Sequence, residues 1–477
     1  MTKRNVFSNL IWRFSERICA ELVSFVVTMI IARILDPSVY GLTALVTVFI
    51  SILGVFINGG FGTALVQKKA ADELDFSSVF WFNIVMCSSL YIVMFLAAPY
   101  IALFYRIPEL VNVVRVMSLT LIISGVKSIQ IAYVSKTMQF KKFFFATLGG
   151  TIGAGVVGIV MALKGFGVWA LIVQSLFNNT VDTVILWLTV NWRPKYIFSF
   201  ERMVRLFSFG WKMLVSSLLD TVYNNIRSLI IGKKYTTADL AQYNRGRSWP
   251  DLLVSNINSS IDSVLFPTLS AEQDDRTRVR ELTRRAIKTS SFILMPMMVG
   301  LAVCAEPLVR LLLTEKWLPS VFFMRIFCFT YAFYPVHTAN LTAIKAMGRS
   351  DLFLRLEIIK KIVGLIALGA TMFISVKAMA LSLLVTSVLS QMINSWPNKK
   401  LLEYRYADQL KDMLPQICLS GVMGFIVYQV GLFDLNDWLT LFVQVPLGMF
   451  IYIIGSKMLH IDSFEYVLEI LKNYKGK

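Results

Sequence analysis

The 477-residue chain reads as an all-α integral membrane protein with fourteen transmembrane helices. Two observations carry that reading. Hydrophobic residues make up 56% of the chain with a mean hydropathy of +0.65, and only 16% of residues are charged, against about 25% in soluble globular proteins. The apolar residues also gather into runs of about 20, the length that crosses about 30 Å of hydrocarbon. The formal charge of +18 would suggest a nucleic-acid partner in a soluble protein. Here the cations sit between apolar runs, so no nucleic acid is expected and the basicity is topological.

In chain order the runs cover residues 11–35, 40–59, 78–98, 111–128, 144–163, 167–190, 207–231, 249–269, 290–313, 320–345, 357–375, 379–395, 414–432 and 437–458. Turn chemistry separates several of them, as at Asp36-Pro37, Lys164-Gly165 and from Gly431 to Asp434. Of the Lys and Arg residues, 30 fall in one set of alternate loops and 10 in the other, which places both termini of a multi-pass protein in the cytoplasm. Tryptophans near the run ends, Trp12, Trp81, Trp169, Trp192, Trp211, Trp249, Trp317, Trp396 and Trp438, are expected to be interfacial anchors. The stretch 270–289, with its arginines, and the tail after His460, with Ile461, Phe464, Val467, Leu468 and Leu471 at helical spacing, read as helices lying on anionic headgroups or as solvated helices. The first ten residues carry Lys3 and Arg4 but no small-residue cleavage site follows, so no signal peptide is read.

Shifting the chain by 199 residues reveals a repeat. Trp12-Arg13 meets Trp211-Lys212, Glu21 meets Asp220, and Ile30-Ile31 meets Leu229-Ile230. Both segments enter from the cytoplasmic side, which implies parallel six-helix lobes. The expected organisation is a lobe over 1–195, a second pseudo-symmetric lobe over 196–398, two further helices in 399–458, and an amphipathic cytoplasmic tail over 459–477.

Charge inside a membrane helix costs about 2.5–3.5 kcal/mol per residue and marks function by default. The first helix aligns Arg13, Glu16, Arg17, Glu21 and Ser24 on one face, the seventh Lys212, Ser216, Asp220, Asn224 and Arg227, and the eighth Arg247, Asp251, Ser255, Asn258 and Asp262. Three such stripes either line a wet cavity or pair with one another to lock the bundle. In the first case Arg13, Arg17, Lys212, Arg227 and Arg247 contact an anionic head group, because guanidinium forks match phosphate oxygens. Lys233, Lys234, Arg245 and Arg247 breach the positive-inside pattern and suggest an outer vestibule that attracts anions. Glu21, Asp220, Asp262 and Glu306 are candidates for ion coupling, with counter-ion duty as the alternative, and His337 reads as packed or cavity-lining. Gly149, Gly150, Gly153, Gly155 and Gly158 suit close helix packing.

Several chemistries are unsupported. Cys19, Cys87, Cys304, Cys328 and Cys418 are scattered singly and form neither a disulfide framework nor a metal site. His337 and His460 are the two histidines, too few for a zinc or histidine-based catalytic centre. There is no GxxxxGK[ST] motif, and no large outward loop that a glycosyltransferase or polysaccharide polymerase would need. The chain is therefore read as a non-enzyme without cofactor.

The segments ERICAELVSFVVTMIIARILDPSVYGLTAL, GFGTALVQKK and DFSSVFWFN, then SFGWKMLVSSLLDTVYNNIRSLIIGKKYTTADLAQYNRG, AVCAEPLVRLLLTEKWLPS and GRSDLFLRLEIIKK, resemble bacterial Wzx-type polysaccharide flippases. These form the polysaccharide transport branch of the MOP exporter superfamily, and the likeness is greatest to lipopolysaccharide biosynthesis proteins and colanic or teichuronic acid exporters. The resemblance covers nearly the whole chain. It implies two pseudo-symmetric lobes in a fourteen-helix bundle that moves undecaprenyl-diphosphate-linked oligosaccharide to the outer leaflet by alternating access, alongside membrane lipids, a polymerase and glycosyltransferases. By role, it points to Arg13, Arg17, Lys212 and Arg227 for the diphosphate and to Asn224, Asn225 and Asn258 for sugar hydroxyls. The competing class is the multidrug and toxin extruder, an ion-coupled antiporter whose cavity should be net acidic.

The charge count makes a direct forecast about topology. A reporter that is active only in the cytoplasm should work when fused after Lys477 and fail when inserted between Lys164 and Gly167. Activity at both positions would contradict the orientation.

Overall fold

In hydrocarbon a peptide group finds no water to bond, so it must close its hydrogen bonds within its own segment or a closed barrel. The computed structural model takes the first solution: all regular structure among the described residues is helical. Those residues are 3–58, 62, 65, 66, 68, 71–139, 141–433 and 435–475, with the side chains of 3–17, 58, 205, 206, 208–210, 212 and 470–475 also outside the description.

The chain divides into two compact units, Met1–Ala241 and Gln242–Lys477. The first holds α1 (Lys3–Ile34), α2 (Pro37–Asn58), α3 (Glu73–Tyr105), α4 (Leu110–Met117), α5 (Leu119–Thr137), α6 (Lys141–Leu163), α7 (Val168–Thr189), α8 (Phe200–Lys234) and the first turn of α9 (Thr237–Ala271). The second holds the rest of α9, then α10 (Arg276–Val303), α11 (Ala305–Leu313), α12 (Pro319–Ala332), α13 (Tyr334–Ala346), α14 (Ser350–Thr371), α15 (Val376–Leu401), α16 (Tyr406–Val430), α17 (Asp437–Met458) and α18 (Asp462–Lys475). Nine of the described helical runs are long and apolar enough to cross a membrane. Helices α8, α9 and α14 are not among them, because charges and amides recur along their length.

Local chemistry sets many helix ends. Asp72 and Asp75 form a capping box at the start of α3, and Ser199, Asp275, Ser375 and Asn436 accept backbone N–H groups at the starts of α8, α10, α15 and α17. Arg106 ends α3 in the left-handed conformation, at φ 60°. Short links separate the long helices: α1 gives way to α2 at Leu35–Asp36, and α8 to α9 at Tyr235–Thr236.

In the first unit the glycine-rich face of α6 brings two helices together. A side chain at Gly155 would strike Val27 of α1 at 2.5 Å, and one at Gly150 would lie 2.8 Å from Asn178 Oδ1 of α7. Gly158 touches both neighbours, meeting Ile31 and Gln174. At one end a core of Leu65, Phe76, Phe80, Ile129, Phe143, Leu186 and Trp192 receives the linker that leads to α8. Lys195 N and Ser199 N donate to Ser77 and Ser78, and Trp81 Nε1 donates to Lys195 O at 2.9 Å. The DFSS segment therefore anchors the route from α7 to α8.

Three expectations change. Trp192, Trp249 and Trp317 are buried in protein rather than set at an interface; Trp317 carries Arg245 on its ring, with 4.9 Å between guanidinium and centroid. The stretch 270–289 is not a separate surface helix, because α10 begins at Arg276 and runs on to Val303. Arg284 on it grips the buried Asp412 through two bonds of 2.6 and 2.7 Å. The tail helix α18 turns Phe464 and Val467 inward onto Phe292 and Tyr452, and Lys288 holds Asp462 at 2.8 Å. Ile461, Phe464 and Val467 of the tail's apolar face are therefore spent on the second unit, while Leu468 stays exposed.

Close packing at α6 has a measurable cost if filled. Gly155→Leu should destabilise the protein by about 1–3 kcal/mol, the usual penalty of overpacking, seen as a lower thermal midpoint in detergent. Gly165→Ala, at a site with no neighbour within 4 Å but φ 78°, should cost less, about 1 kcal/mol from backbone strain alone. Equal stability of Gly155→Leu and the parent would refute the packing role.

Candidate functional site

Each intramembrane charge must find a partner or a wet surface. In the first unit Lys127 of α5 and Asp182 of α7 pair at 2.7 Å with side chains 14% and 19% exposed, and Asn179 Oδ1 lies 3.4 Å from the same ammonium. Gly150 of α6 sits against Asn178 and Asp182, which lets α6 close over this pair. At the end of the unit marked by the DFSS segment, Asp75 is fully buried and takes Lys68 at 2.6 Å and Arg202 at 3.3 Å. Arg202 also binds both carboxylate oxygens of Asp72 at 2.6 Å. That guanidinium, with the backbone N–H of Asp75, holds the Asp72 carboxyl down at about 2.

The second unit concentrates its charge where α9, α12, α13, α14 and α15 meet. Arg247, Tyr331 and Asp251 interact electrostatically with one another. Lys360, only 8% exposed, pairs with Glu357 at 2.5 Å, and its ammonium stands 3.5 Å from His337 Nε2. The other ring nitrogen, Nδ1, lies 2.7 Å from the Asn394 amide, and the Tyr334 ring packs on the imidazole at 5.2 Å. Beside this cluster Asn340, Ser395, Asn398 and Gln409 form a wholly buried amide network with contacts of 2.6 to 3.3 Å. Tyr404, in the short link before α16, donates to Asp412 at 2.8 Å, and its hydroxyl is pushed up mainly by burial and then by that bond.

The sequence-predicted residues fare unevenly. Arg13, Arg17 and Lys212 lie outside the described side chains. Glu21 and Asp220 are both engaged within the protein, and Asn225 Nδ2 is spent on Thr221 O of its own helix at 2.8 Å. Asn224 is exposed. Asp262 accepts from Thr342 at 2.6 Å and faces Lys345 at 3.9 Å, the position of a counter-ion; Glu306 likewise holds Arg310 at 3.2 Å. Among the residues flagged for an outer vestibule, Lys233 packs its ammonium on the Phe104 ring at 4.1 Å, and Arg245 and Arg247 are occupied as above.

Two predicted residues keep free capacity. Arg227 Nε is buried with no hydrogen-bond partner, and so are both amide atoms of Asn258, a side chain only 9% exposed. Buried polar atoms are nearly always satisfied, so these stand out as groups that a polar ligand or water could complete. Lys127, Asp182, Glu357 and Lys360 were not singled out in the sequence. The signal was present, since each is a charge within or at the edge of an apolar run, but none lies on the helices that carry the repeated stripes. Among the described residues no three His, Cys, Asp or Glu side chains gather as a metal-binding group.

The family model described as polysaccharide biosynthesis protein matches residues 30–322, more than half of the chain. The chain belongs to this family. Curated relatives include the succinoglycan biosynthesis transport protein ExoT of Rhizobium meliloti (strain 1021), 23% identical over 94% of this chain and 92% of that protein. The teichuronic acid biosynthesis protein TuaB of Bacillus subtilis (strain 168) is 24% identical over 85% of each chain. The lipopolysaccharide biosynthesis protein WzxC of Escherichia coli (strain K12) is 20% identical over 89% of this chain and 82% of that one. Among solved structures, the lipid II flippase MurJ in an inward closed conformation superposes with a TM-score of 0.77, at 15% identity, over 96% of this chain and 99% of that one. An inward-facing multidrug resistance MATE transporter of the MOP superfamily gives 0.61 at 14% identity over 82% and 99%. The fold is thus that of the MurJ and MATE transporters, and family and fold together are those of a multi-pass membrane transporter.

The Lys127–Asp182 pair allows a test of how the first unit is held. Lys127→Met alone strands a partly buried carboxylate and should cost about 3–5 kcal/mol, while Lys127→Met with Asp182→Leu should recover most of that loss. Thermal unfolding in detergent separates the two. A double variant as unstable as the single one would show that the pair does not act as a unit.

Proposed function

We propose that this protein flips undecaprenyl-diphosphate-linked oligosaccharide, the repeat unit of a polysaccharide, from the inner to the outer leaflet of the bacterial cytoplasmic membrane by alternating access. The observation that carries the reading is the conjunction of a polysaccharide biosynthesis family with a fold shared, over 96% of the chain, with the lipid II flippase MurJ. The named relatives are transport or biosynthesis proteins for succinoglycan, teichuronic acid and lipopolysaccharide, three different glycans.

In this reading the helices form fourteen crossings, with α4 and α5, α10 and α11, and α12 and α13 each counted as one bent rod because a single residue, Ser118, Cys304 or Phe333, separates the members. Lobes over 1–195 and 196–398, with 399–458 as two added helices and 459–477 as a cytoplasmic tail, follow the sequence repeat. Both termini face the cytoplasm. Arg13, Arg17, Lys212, Arg227 and Arg247 hold the diphosphate, since a guanidinium binds phosphate oxygens through two parallel bonds. Asn224, Asn225 and Asn258 serve the sugar hydroxyls. The unpartnered Arg227 Nε and Asn258 amide support the assignment of those two residues, because a buried polar group without a partner gains a bond when a polar ligand meets it. The polyprenyl tail stays in lipid throughout, so only the head needs a polar path. Polymerase and glycosyltransferases act before and after it, and Glu21, Asp220 and Asp262 are available for ion coupling. A multidrug-type antiporter is the weaker alternative: the three stripes balance their charges, where a cation exporter needs an acidic path.

Purified protein in vesicles, supplied with lipid-linked oligosaccharide and an externally added glycan-cleaving enzyme, measures flipping directly. Combined Arg17→Ala and Arg227→Ala should slow it by about tenfold or more, the equivalent of one lost charge-assisted hydrogen bond at about 1.5–3 kcal/mol. An unchanged rate would remove the site assignment, and no flipping by the parent protein would remove the function.

A further inference from the structure

The second unit holds a half-buried histidine between an amide and a lysine, and the donors and acceptors available there bear on its state. A lysine ammonium has no lone pair and can only donate. For Lys360 Nζ to rest 3.5 Å from His337 Nε2 without repulsion, Nε2 must present its lone pair, and the proton of the neutral ring then sits on Nδ1. That proton needs an acceptor, whereas the amide atom placed 2.7 Å away is Asn394 Nδ2, a donor, so the amide must turn. The Asn394 oxygen is otherwise buried without a partner, and turning the amide, whose oxygen and nitrogen are interchangeable in placement, supplies the bond. With the amide so turned, His337 is a neutral acceptor for a charged neighbour.

We propose that His337, Lys360 and Glu357 form a proton-binding switch in the interior of the second unit, in which a proton on His337 Nε2 and the seated Lys360–Glu357 pair exclude one another. A proton arriving at Nε2 turns the acceptor into a donor and the neutral ring into a cation facing an ammonium at 3.5 Å. Like charges at that distance in a partly desolvated setting repel strongly. Lys360 must withdraw, and Glu357, 2.5 Å from it, is carried on the same helix. Proton binding on α13 therefore pushes on α14.

The surroundings are suited to such a two-state response. From α9, Arg247 and Asp251 face the Tyr331 and Tyr334 hydroxyls, so a balanced pair adjoins the switch without neutralising it. From α14 the charged groups are Glu357, Lys360 and Lys361, and from α15 the neighbour is the uncharged Asn394. The stretch of α10 from Ser290 to Val303 carries no titratable side chain, and α16 meets α13 through the amide of Gln409 at Asn340. Lys360 is thus the cation nearest the ring, and Glu357 is the anion that seats it.

Use of the switch to couple transport to a proton gradient rests on the flippase reading above; the exclusion itself does not, and the two are tested separately. Because His337 and His460 are the two histidines of the chain, nitrogen-15 NMR of the His460→Asn protein in nanodiscs reports His337 alone. His460 lies at a positive φ of 46°, which asparagine accepts. The ring should be neutral with its proton on Nδ1 at pH about 7. Lys360→Met should raise its proton affinity about tenfold or more, and Glu357→Gln, which leaves the ammonium unbalanced, should lower it. A ring protonated on Nε2 at neutral pH, equal proton affinities in the three proteins, or shifts of the same sign in both variants would each overturn the switch. For coupling, vesicles holding the parent protein should change their oligosaccharide flipping rate under an imposed pH gradient, and His337→Asn should lose that response. A retained response overturns the coupling role, whereas a parent protein that flips nothing overturns the transport reading and leaves the NMR result standing.

Discussion

The refusal of hydrocarbon to solvate peptide groups or charges governs this molecule. Backbone bonds close inside helices, which accounts for the uniform architecture. Polar side chains are then left with two fates: they find a partner within the bundle or they border water. The described residues show the first fate worked out in detail. Lys127 closes on Asp182, Asp75 collects Lys68 and Arg202, Arg284 clasps Asp412, and three buried amides and a serine bond one another around Asn340.

Against that background the exceptions gain meaning. Evolutionary economy is not needed to see why an orphaned guanidinium nitrogen at Arg227 and an amide with both atoms idle at Asn258 draw notice, because each carries a desolvation cost of about 1–3 kcal/mol with no compensating bond. They lie on α8 and α9, the helices that sequence repetition had already set apart. The His337 cluster is a different kind of site. Its lysine and glutamate pair with each other, and in the switch proposed above that pairing depends on one ring nitrogen remaining unprotonated. A transporter that must visit two states can use both features, one to hold cargo and the other to register a driving ion.

Several readings of individual residues turned on partners that a linear pattern does not reveal. The apolar periodicity of the tail correctly marks one buried face, but the surface it meets is Phe292 and Tyr452 of the second unit, not lipid. Tryptophans near run ends are the usual mark of a membrane interface, yet Trp317 is enclosed, with Arg245 over its ring. Asp262, read as a coupling candidate, sits against Thr342 and Lys345, eighty or more positions along the chain. The charges that were overlooked, Lys127, Asp182, Glu357 and Lys360, are single residues in otherwise apolar runs, and single residues form no pattern until their partners are known.

The helical, membrane-embedded character, the positions of most helices and the close-packing glycine face of α6 were legible in the chain alone, because they depend on length, hydropathy and residue size, which are local quantities. The likeness of the first and seventh helices is read from the chain alone, since it compares residues at a fixed offset of 199. Pairing of charges, the enclosure of tryptophans and the docking of the tail were decided by tertiary structure. Those are contacts between residues remote in sequence, and the free energy of a charge or an indole within the membrane depends on what the fold places a few ångströms away.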